Sequence, residues 1–219
     1  MKILITGSSK GIGEACAKRF LKEGFEVIGI DLLPSSISHK NYTHYIADVS
    51  DKESLPELTN INYIFNNAGL QNSKDDIDNN LKGAINVTEK YAFQKNIKSV
   101  LFNASASASS GDEFPLYVAS KAGMIGYMKN AAIRLAEFKA TCNSLSLGGV
   151  MTESNAPVMN NPESWNKIMD ATPLKKWATK DEVADWVYFL LVVNKSATGI
   201  DVLVDNGESH LNSTFVWPK

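Results

Sequence analysis

The chain has 219 residues, of which 44% are hydrophobic and 21% are charged. These values are typical of a globular protein with one sizeable core, and they exclude an intrinsically disordered chain. The net charge is −2 and no block of Lys or Arg occurs, so binding to nucleic acid is not expected. No apolar run is long enough for a membrane span, and the N-terminus does not fit a signal peptide. We therefore expect a cytoplasmic protein without membrane association.

The two cysteines, Cys16 and Cys142, lie far apart in the chain and form no C-x-x-C motif. We interpret them as small core residues in a reducing compartment, and a disulfide between them is the alternative. The three histidines lack the spacing of metal ligands, so no metal site is predicted.

Short apolar runs rich in β-branched residues alternate with longer helical patterns along the chain. Most of these runs are almost wholly apolar, which is typical of parallel strands covered on both faces. The alternation predicts an α/β fold, a Rossmann-type doubly wound parallel sheet of about seven strands with helices on both faces. The predicted strands are Lys2–Thr6, Glu26–Asp31, Thr43–Asp48, Tyr63–Asn66, Ser99–Ala104, Thr141–Leu147 and Asp201–Val204. The predicted helices are Ile12–Lys22, Asp76–Gln94, Tyr117–Lys139 and Asp181–Val193.

No shift of composition divides the chain, so residues 1–219 are expected to form a single domain. Thr179 and Glu182 predict a capping box at the start of the last helix, and Ser50 with Glu53 predicts a second, shorter one. The polar segment 153–176 interrupts the alternation and holds three of the seven prolines. Such a long excursion is expected to form a lid over a site.

Three glycines lie between the first predicted strand and the first predicted helix, in ILITGSSKGIG. Glycine permits a tight turn and a close approach of the backbone to a pyrophosphate, and the helix N-terminus offers free N–H groups. Gly7, Gly11 and Gly13 therefore predict a dinucleotide-binding loop. Glycines gathered in an ordinary βα turn are the alternative.

Asp31 closes the second predicted strand. A carboxylate there can accept both ribose hydroxyls of an adenosine and repel a 2′-phosphate. A turn residue beside Leu32 is the structural alternative. Lys10 in the glycine loop favours NADP instead, because a cation there could bind a 2′-phosphate. We give precedence to Asp31 and predict NAD as the cofactor, with NADP as the alternative.

The ordered motifs resemble those of the short-chain dehydrogenase/reductase family over nearly the whole chain. TGSSKGIG is similar to the family's T-G-x-x-x-G-x-G cofactor loop, and DV at 48–49 is similar to its adenine-contacting pair. NNAG at 66–69 matches a fourth-strand motif, NLKG at 80–83 resembles a helix motif of a proton relay, and YVASK at 117–121 matches Y-x-x-x-K. The resemblance implies cofactor contacts by Gly7, Ser9, Lys10, Gly11, Ile12, Gly13, Asp31, Asp48, Val49, Asn67, Ala68, Gly69, Tyr117, Lys121, Gly148, Val150 and Thr152.

The chain departs from the family pattern at two positions. Ala104 stands where the family usually carries its catalytic serine, and aligning the strand SVLFNAS by its apolar run assigns that role to Ser105, with Ser107 as the second choice. Leu147 precedes Gly148 where the family normally carries proline. The chain is also shorter than most family members. We therefore expect an abbreviated crossover between the second and third strands, and a shortened helix around Asn80.

Tyr117 and Lys121 lie four residues apart on a predicted helix and project from the same face. A nearby ammonium favours the phenolate, so we expect it to lower the pKa of Tyr117 and make this side chain a general acid/base. A packed Tyr beside a Lys with a buried aliphatic chain is the alternative. The resemblance implies that Ser105 donates to the substrate oxygen, that Lys121 also binds the nicotinamide ribose, and that Asn80 holds a water.

The sequence thus predicts an NAD(P)-dependent oxidoreductase that transfers a hydride between nicotinamide and a secondary alcohol or ketone, with a small carbonyl compound or polyol as substrate. The resemblance implies a homo-dimer or homo-tetramer, and the tail with Phe215, Val216 and Trp217 is expected to find a partner surface. The rival hypothesis is a catalytically reduced dinucleotide-binding regulator of the same fold, which the altered serine spacing favours. The retained Tyr117 and Lys121 argue against it, and the glycine spacing disfavours a sugar-nucleotide epimerase.

Overall fold

Strands and helices alternate along the computed structural model, which describes residues 1–211. The strands are β1 (Lys2–Thr6), β2 (Glu26–Asp31), β3 (Tyr42–Ile46), β4 (Tyr63–Asn66), β5 (Ser99–Ser105), β6 (Thr141–Leu147), β7 (Val150–Met151), β8 (Ala178–Thr179) and β9 (Asp201–Val204). The α-helices are α1 (Gly11–Lys22), α2 (Gly83–Tyr91), α3 (Ser107–Ser110), α4 (Pro115–Leu135), α5 (Ala156–Met159), α6 (Pro162–Ala171) and α7 (Lys180–Tyr188).

Seven strands form one sheet in the order β3-β2-β1-β4-β5-β6-β9, and β7 pairs separately with β8. All of these pairings are parallel. The chain runs outward in one direction from β1 to β3 and in the other from β4 to β9. Where the strand order reverses, between β1 and β4, such a sheet opens a crevice at the carboxyl ends of its strands. The predicted Rossmann-type fold is confirmed.

Hydrophobic cores cover both faces of the sheet. Because successive residues of a strand point to opposite faces, Leu4 lies in one core and Ile3 in the other. Helix α2 supplies Val87 to the first core, whereas α1 and α7 supply Phe20 and Val187 to the second. This two-sided coverage explains why the strands are apolar at almost every position.

The cysteines belong to these cores. Cys16 and Cys142 are buried in different cores, and both are free thiols, as predicted. Among residues 1–211, no helix is both long and apolar enough to span a membrane.

Two predicted helices contain a π-helical turn. The helix predicted over Asp76–Gln94 consists of a π-helical turn, Ile77–Lys82, followed by α2. The helix predicted over Asp181–Val193 begins as α7 and ends in a second such turn, Phe189–Val193. The 3.6-residue period does not distinguish these turns from α-helix, and they are frequent at functional sites.

The third strand and the start of the next turn differ from the prediction. β3 ends at Ile46, and Asp48 lies beyond it, where its Oδ1 accepts the N–H and the hydroxyl of Ser50 at 2.8 Å each. The capping box predicted for Ser50 and Glu53 is wrong, because the side chain of Asp51 accepts the N–H of Glu53 at 3.0 Å. Asp51 therefore caps the 3₁₀ turn that follows.

The expected shortening of the chain is confirmed at two connections. Residues 32–41, between β2 and β3, contain no helix, and Ile37 packs onto the core in its place. The helical segment around Asn80 begins only at Ile77. The 153–176 excursion folds into a 3₁₀ turn, α5 and α6, which leads into β8.

Candidate active site

The turn between β1 and α1 forms a narrow backbone cradle. Gly7 and Gly11 have φ angles of 67° and 58°, in the left-handed region that favours glycine. A Cβ on Gly7 would lie 2.9 Å from the Cα of Ala68, and a Cβ on Gly13 would overlap the carbonyl oxygen of Gly7. The loop therefore needs glycine at these positions, and it presents the N-terminus of α1 to an anionic ligand.

A cleft of about 650 Å³ opens beside the cradle, where the sheet's strand order reverses. The predicted site residues that line it are Gly7, Lys10, Gly11, Ile12, Asp31, Val49, Asn67, Ala68, Gly69, Tyr117, Lys121 and Thr152. The predicted residues that lie outside its lining are Ser9, Gly13, Asp48, Asn80, Ser105, Gly148 and Val150.

Several lining residues are not singled out by the sequence motifs. Leu32 and Leu33 follow β2 and remain 56% and 47% exposed, which gives one end of the cleft an apolar wall. Gln71, Asn103 and Asn155 add polar groups at other points. Most of these residues lie in loops after strands, where no periodic pattern marks them. Asn103, near the end of an apolar strand, is the one that the sequence could have indicated.

Asp31 ties the glycine loop to the segment after β2. Its Oδ2 accepts the N–H of Ser9 at 2.9 Å, and its Oδ1 accepts the N–H of Leu33 at 3.0 Å. The hydroxyl of Ser9 donates to the carbonyl of Leu33 at 2.8 Å. Each carboxylate oxygen keeps a further lone pair, so Asp31 can still accept hydrogen bonds from a ligand.

The start of the NNAG motif joins β4 to β1. Thr6 Oγ1 accepts the N–H groups of Asn67 and Ala68 at 3.0 Å each. The amide of Asn67 donates to the carbonyls of Thr6 and Gly7 at 3.0 and 3.2 Å. These bonds hold the two strand ends that border the crevice.

Tyr117 and Lys121 lie one helical turn apart on α4, and both line the cleft. Lys121 Nζ lies 5.5 Å from the centroid of the Tyr117 ring and donates to the carbonyl of Asn103 at 2.6 Å. Lys121 is only 4% exposed. The phenol and the amine thus share one buried region of the cleft.

The predicted electrostatic effect of Lys121 on Tyr117 is wrong. Burial raises the pKa of Tyr117 to about 12; the hydroxyl of Ser105 opposes this shift, and the charges of Glu113 and Asp76 add to it. Burial also lowers the pKa of Lys121 to about 8, although Glu113 and Asp76 act in the opposite direction. Desolvation is the largest cause of both shifts.

Ser105 ends β5 and faces Tyr117. Its Oγ accepts the hydroxyl of Ser107 at 2.9 Å and the N–H of Ser107 at 3.2 Å. Ser105 is also the serine whose hydroxyl lowers the pKa of Tyr117. The geometry therefore favours Ser105 over Ser107 as the hydroxyl beside the phenol.

Asn80 is fully buried within the π-helical turn. Its Oδ1 accepts the N–H of Leu70 at 2.7 Å, and its Nδ2 donates to the carbonyl of Leu70 at 2.9 Å and to Ser120 Oγ at 3.0 Å. Asn80 thus joins the loop after β4 to α4, next to Lys121. Both amide hydrogens are used, which leaves only the second lone pair of Oδ1 for the predicted water.

The segment after β6 is close-packed. A Cβ on Gly148 would lie 2.7 Å from Cβ of Asp205, and a Cβ on Gly149 would overlap the indole of Trp177. Val150 pairs with β8, and Thr152 then reaches the cleft. These two glycines let the chain pass close to Asp205 and Trp177 on its way to Thr152.

Two glutamates lie on the same side of the site as Tyr117. Glu113 accepts from Gln71 Nε2 at 2.9 Å, and Glu208 accepts from Trp177 Nε1 at 3.2 Å. Burial raises the pKa of both carboxyls, and these hydrogen bonds act in the opposite direction. Neither glutamate forms a salt bridge within the described part of the chain.

Over residues 1–211, no group of three or more His, Cys, Asp or Glu side chains is placed to hold a metal ion.

Comparisons with known proteins identify the family. The model of a family described as enoyl-(acyl carrier protein) reductase matches residues 7–209. An L-xylulose reductase of Caenorhabditis elegans is 30% identical over 241 aligned positions, which cover 95% of this chain and 96% of that protein. A 3-oxoacyl-[acyl-carrier-protein] reductase of Buchnera aphidicola is 27% identical, over 93% of this chain and 95% of its own length.

Structural comparison agrees with these matches. A solved 4-hydroxyisoleucine dehydrogenase in complex with NADH has the same fold, with a TM-score of 0.88 and 24% sequence identity over 96% of this chain and 99% of that chain. The family match spans both the glycine cradle and the Tyr117–Lys121 pair. This chain therefore belongs to the short-chain dehydrogenase/reductase family and is an oxidoreductase that acts on CH–OH or C=O groups.

Proposed function

We propose that this protein is an NAD-dependent oxidoreductase that interconverts a secondary alcohol and a ketone, with Tyr117 as its general acid/base. One observation carries the proposal: Tyr117 and Lys121, with Ser105 beside Tyr117, share one cleft with the glycine cradle. Tyr117 can exchange a proton with a substrate oxygen. The glycine cradle can hold the pyrophosphate of a dinucleotide.

A nicotinamide dinucleotide fits this cleft. Side chains at Gly7 and Gly13 would fill the cradle, and Asp31 retains lone pairs for ribose hydroxyls. When bound, the nicotinamide ring supplies or accepts the hydride. In the proposed complex, Lys121 would bind the ribose next to the nicotinamide, and Thr152 would bind the carboxamide of the nicotinamide. The 4-hydroxyisoleucine dehydrogenase, which has the same fold, was solved in complex with NADH, and this supports a nicotinamide dinucleotide as the ligand.

The remaining predicted contacts follow the same plan. Asp48 and Val49 bind the adenine, and the other proposed cofactor contacts are Ser9, Lys10, Gly11, Ile12, Asn67, Ala68, Gly69, Gly148 and Val150. Leu32 and Leu33 extend the apolar wall of this end of the cleft.

The chain's own residues manage the proton. In the reducing direction, Tyr117 Oη would give its proton to the carbonyl oxygen of the substrate, which becomes the hydroxyl of the product alcohol. Ser105 Oγ donates a hydrogen bond to the same oxygen as negative charge develops there. Lys121 stabilises the phenolate that remains, and a water held at Asn80 returns the proton from solvent. In the oxidising direction the same groups act in reverse.

Tyr117→Phe tests the acid/base role. We expect turnover to fall about 10²- to 10⁴-fold, because the phenyl ring keeps the packing and loses the proton. NADH binding, followed by protein fluorescence, should stay within about twofold. Tyr127→Phe is the matched control. It removes a hydroxyl from the same helix, and this hydroxyl donates to Glu89. Turnover of Tyr117→Phe at the wild-type rate would overturn the mechanism.

Asp31 is proposed to set the preference for NADH over NADPH. Its carboxylate lies in the cleft beside the cradle and would repel a 2′-phosphate. Fluorescence titration should give a lower Kd for NADH, and Asp31→Asn should reduce the preference about tenfold. Asp51→Asn, the same change of charge away from the cleft lining, should leave it unchanged. Tighter binding of NADPH by the wild type would assign the decisive role to Lys10.

The charges around Tyr117 favour an uncharged substrate. The charges of Glu113 and Asp76 both act on Tyr117 in the direction that raises its pKa. A carboxylate or phosphate on the substrate would be repelled there. We therefore propose a small carbonyl compound or polyol as substrate, which matches the predicted class.

The regulator hypothesis remains the second candidate. The unused donors and acceptors of Ser105, Tyr117 and Lys121 favour turnover over binding alone. An assay of NADH oxidation and NAD+ reduction with panels of ketones and polyols separates the two. Tight cofactor binding without turnover on any substrate would support the regulator.

We further propose that residues 1–219 form one catalytic unit, with 153–176 as a lid. Ser154 and Asn155 at the start of this segment already line the cleft. A cytoplasmic location fits two buried free thiols, which are typical of a reducing compartment. A homo-dimer or homo-tetramer is the proposed assembly, and the tail with Phe215, Val216 and Trp217 lies outside the described residues.

A further inference from the structure

Asp76 is a buried carboxylate without a complete set of partners. It is 0% exposed, and its Oδ1 accepts the N–H of Ser73 at 3.2 Å. Its Oδ2 is also buried and has no hydrogen-bond partner among the described residues. Buried carboxylates rarely leave an oxygen unpaired, because desolvation of the charge is expensive. The position of Asp76 therefore needs an explanation.

The surroundings of Asp76 lead to the candidate active site. Asp76 immediately precedes the π-helical turn that carries Asn80, and this turn packs against α4. Asn80 donates to Ser120 Oγ, the neighbour of Lys121 in the chain. A Cβ on Gly69 would lie 3.2 Å from Asn80 Oδ1 and 3.7 Å from Lys121 Nζ, so these two groups flank the same backbone position.

Lys121 is a buried cation near the turn that follows Asp76. Its ammonium donates to a neutral carbonyl, that of Asn103, and it forms no salt bridge within residues 1–211. The titratable groups whose fields act on Lys121 are Glu113, in the loop before α4, and, more weakly, Asp76, before the π-helical turn. Tyr117 lies on its own helix. The residue Glu113 is exposed as a whole, whereas Asp76 is fully buried.

We propose that Asp76 is a positioning residue that keeps Lys121 protonated in the active site. The negative charge acts through space, without a direct hydrogen bond, and no bond is made or broken. The proposal rests on the proposed function, in which the ammonium of Lys121 binds the cofactor ribose and stabilises the phenolate. In this proposal, the carboxylate of Asp76 is buried because Lys121 must stay charged in a desolvated site.

Asp76→Asn tests the proposal without the need for turnover. Asn keeps the side-chain size and an acceptor for the N–H of Ser73, and it removes the charge. In the protein without cofactor, the ¹³Cε NMR signal of Lys121, assigned by its absence in Lys121→Ala, reports its pKa. We expect that pKa to fall by about one unit in Asp76→Asn, as for a unit charge several ångström away at moderate dielectric. Asp75→Asn, an exposed neighbour with the same change of charge, should leave it unchanged.

The active enzyme gives a second readout. If Lys121 must be protonated, kcat/KM falls on the alkaline side of its pKa, and this limb should move about one unit to lower pH in Asp76→Asn. Asp76→Ser gives the same comparison if Asp76→Asn does not fold. An NMR pKa of Lys121 that is equal in Asp76→Asn and Asp75→Asn would overturn the proposal. Absence of turnover in the wild type would instead contradict the proposed function and leave the NMR result interpretable.

Discussion

At the scale of single residues, burial decides the chemistry of the site more than the spacing of residues does. The four-residue interval between Tyr117 and Lys121 correctly brings the phenol and the amine to one face, with Lys121 Nζ 5.5 Å from the ring centroid. Yet burial raises the pKa of Tyr117 to about 12 and lowers that of Lys121 to about 8. In the proposed mechanism, the hydroxyl of Ser105 and a charged Lys121 would stabilise the phenolate.

Gly149 and Gly126 should respond in opposite ways to substitution by alanine. At Gly149 a Cβ would overlap the buried indole of Trp177, so Gly149→Ala should lower the free energy of unfolding by about 1–3 kcal/mol. At Gly126, exposed within α4, a Cβ meets nothing within 4 Å. Gly126→Ala should raise the free energy of unfolding by about 0.5–1 kcal/mol. Urea unfolding followed by circular dichroism measures both, and a stable Gly149→Ala would show that Trp177 can move.

At the scale of elements, the periodic signal is accurate for type and less accurate for ends. The strands Lys2–Thr6, Glu26–Asp31 and Thr141–Leu147 have the predicted bounds, because apolar runs end where the polar loops begin. The capping box of Thr179 and Glu182 is confirmed, with both reciprocal hydrogen bonds present. The π-helical turns were not predicted, since they depend on how a helix packs over the sheet and share the apolar period of an α-helix.

At the scale of the whole molecule, an exposed apolar stripe continues from α7 into the following π-helical turn. Trp186, Phe189 and Val193 are 40%, 47% and 54% exposed, and the two aromatic rings meet edge to face at 6.1 Å. Contiguous apolar surface of this kind often marks a contact with another protein surface. We propose this stripe as an interface between subunits.

Sedimentation velocity tests the assembly. We expect the wild type to sediment at two or four times 24.0 kDa. Phe189→Lys should shift the distribution toward smaller species, because a charge would be buried at the interface. Ile133→Lys, at an exposed position of α4, is the matched control and should leave the distribution unchanged. A wild type that sediments at 24.0 kDa at micromolar concentration would contradict the proposed homo-oligomer.

The sequence by itself predicted the seven strands of the main sheet, the glycine cradle and the placement of Tyr117 and Lys121 on one helix face, because these depend on local periodicity and on short spacings. It could also indicate the shortened crossovers from chain length alone. Only the tertiary structure shows which serine acts on Tyr117 and which acceptors the amide of Asn80 donates to. It also decides whether the pKa values of Tyr117 and Lys121 rise or fall. The physical reason is that desolvation and the fields of Asp76 and Glu113 arise from residues distant in sequence that folding brings together.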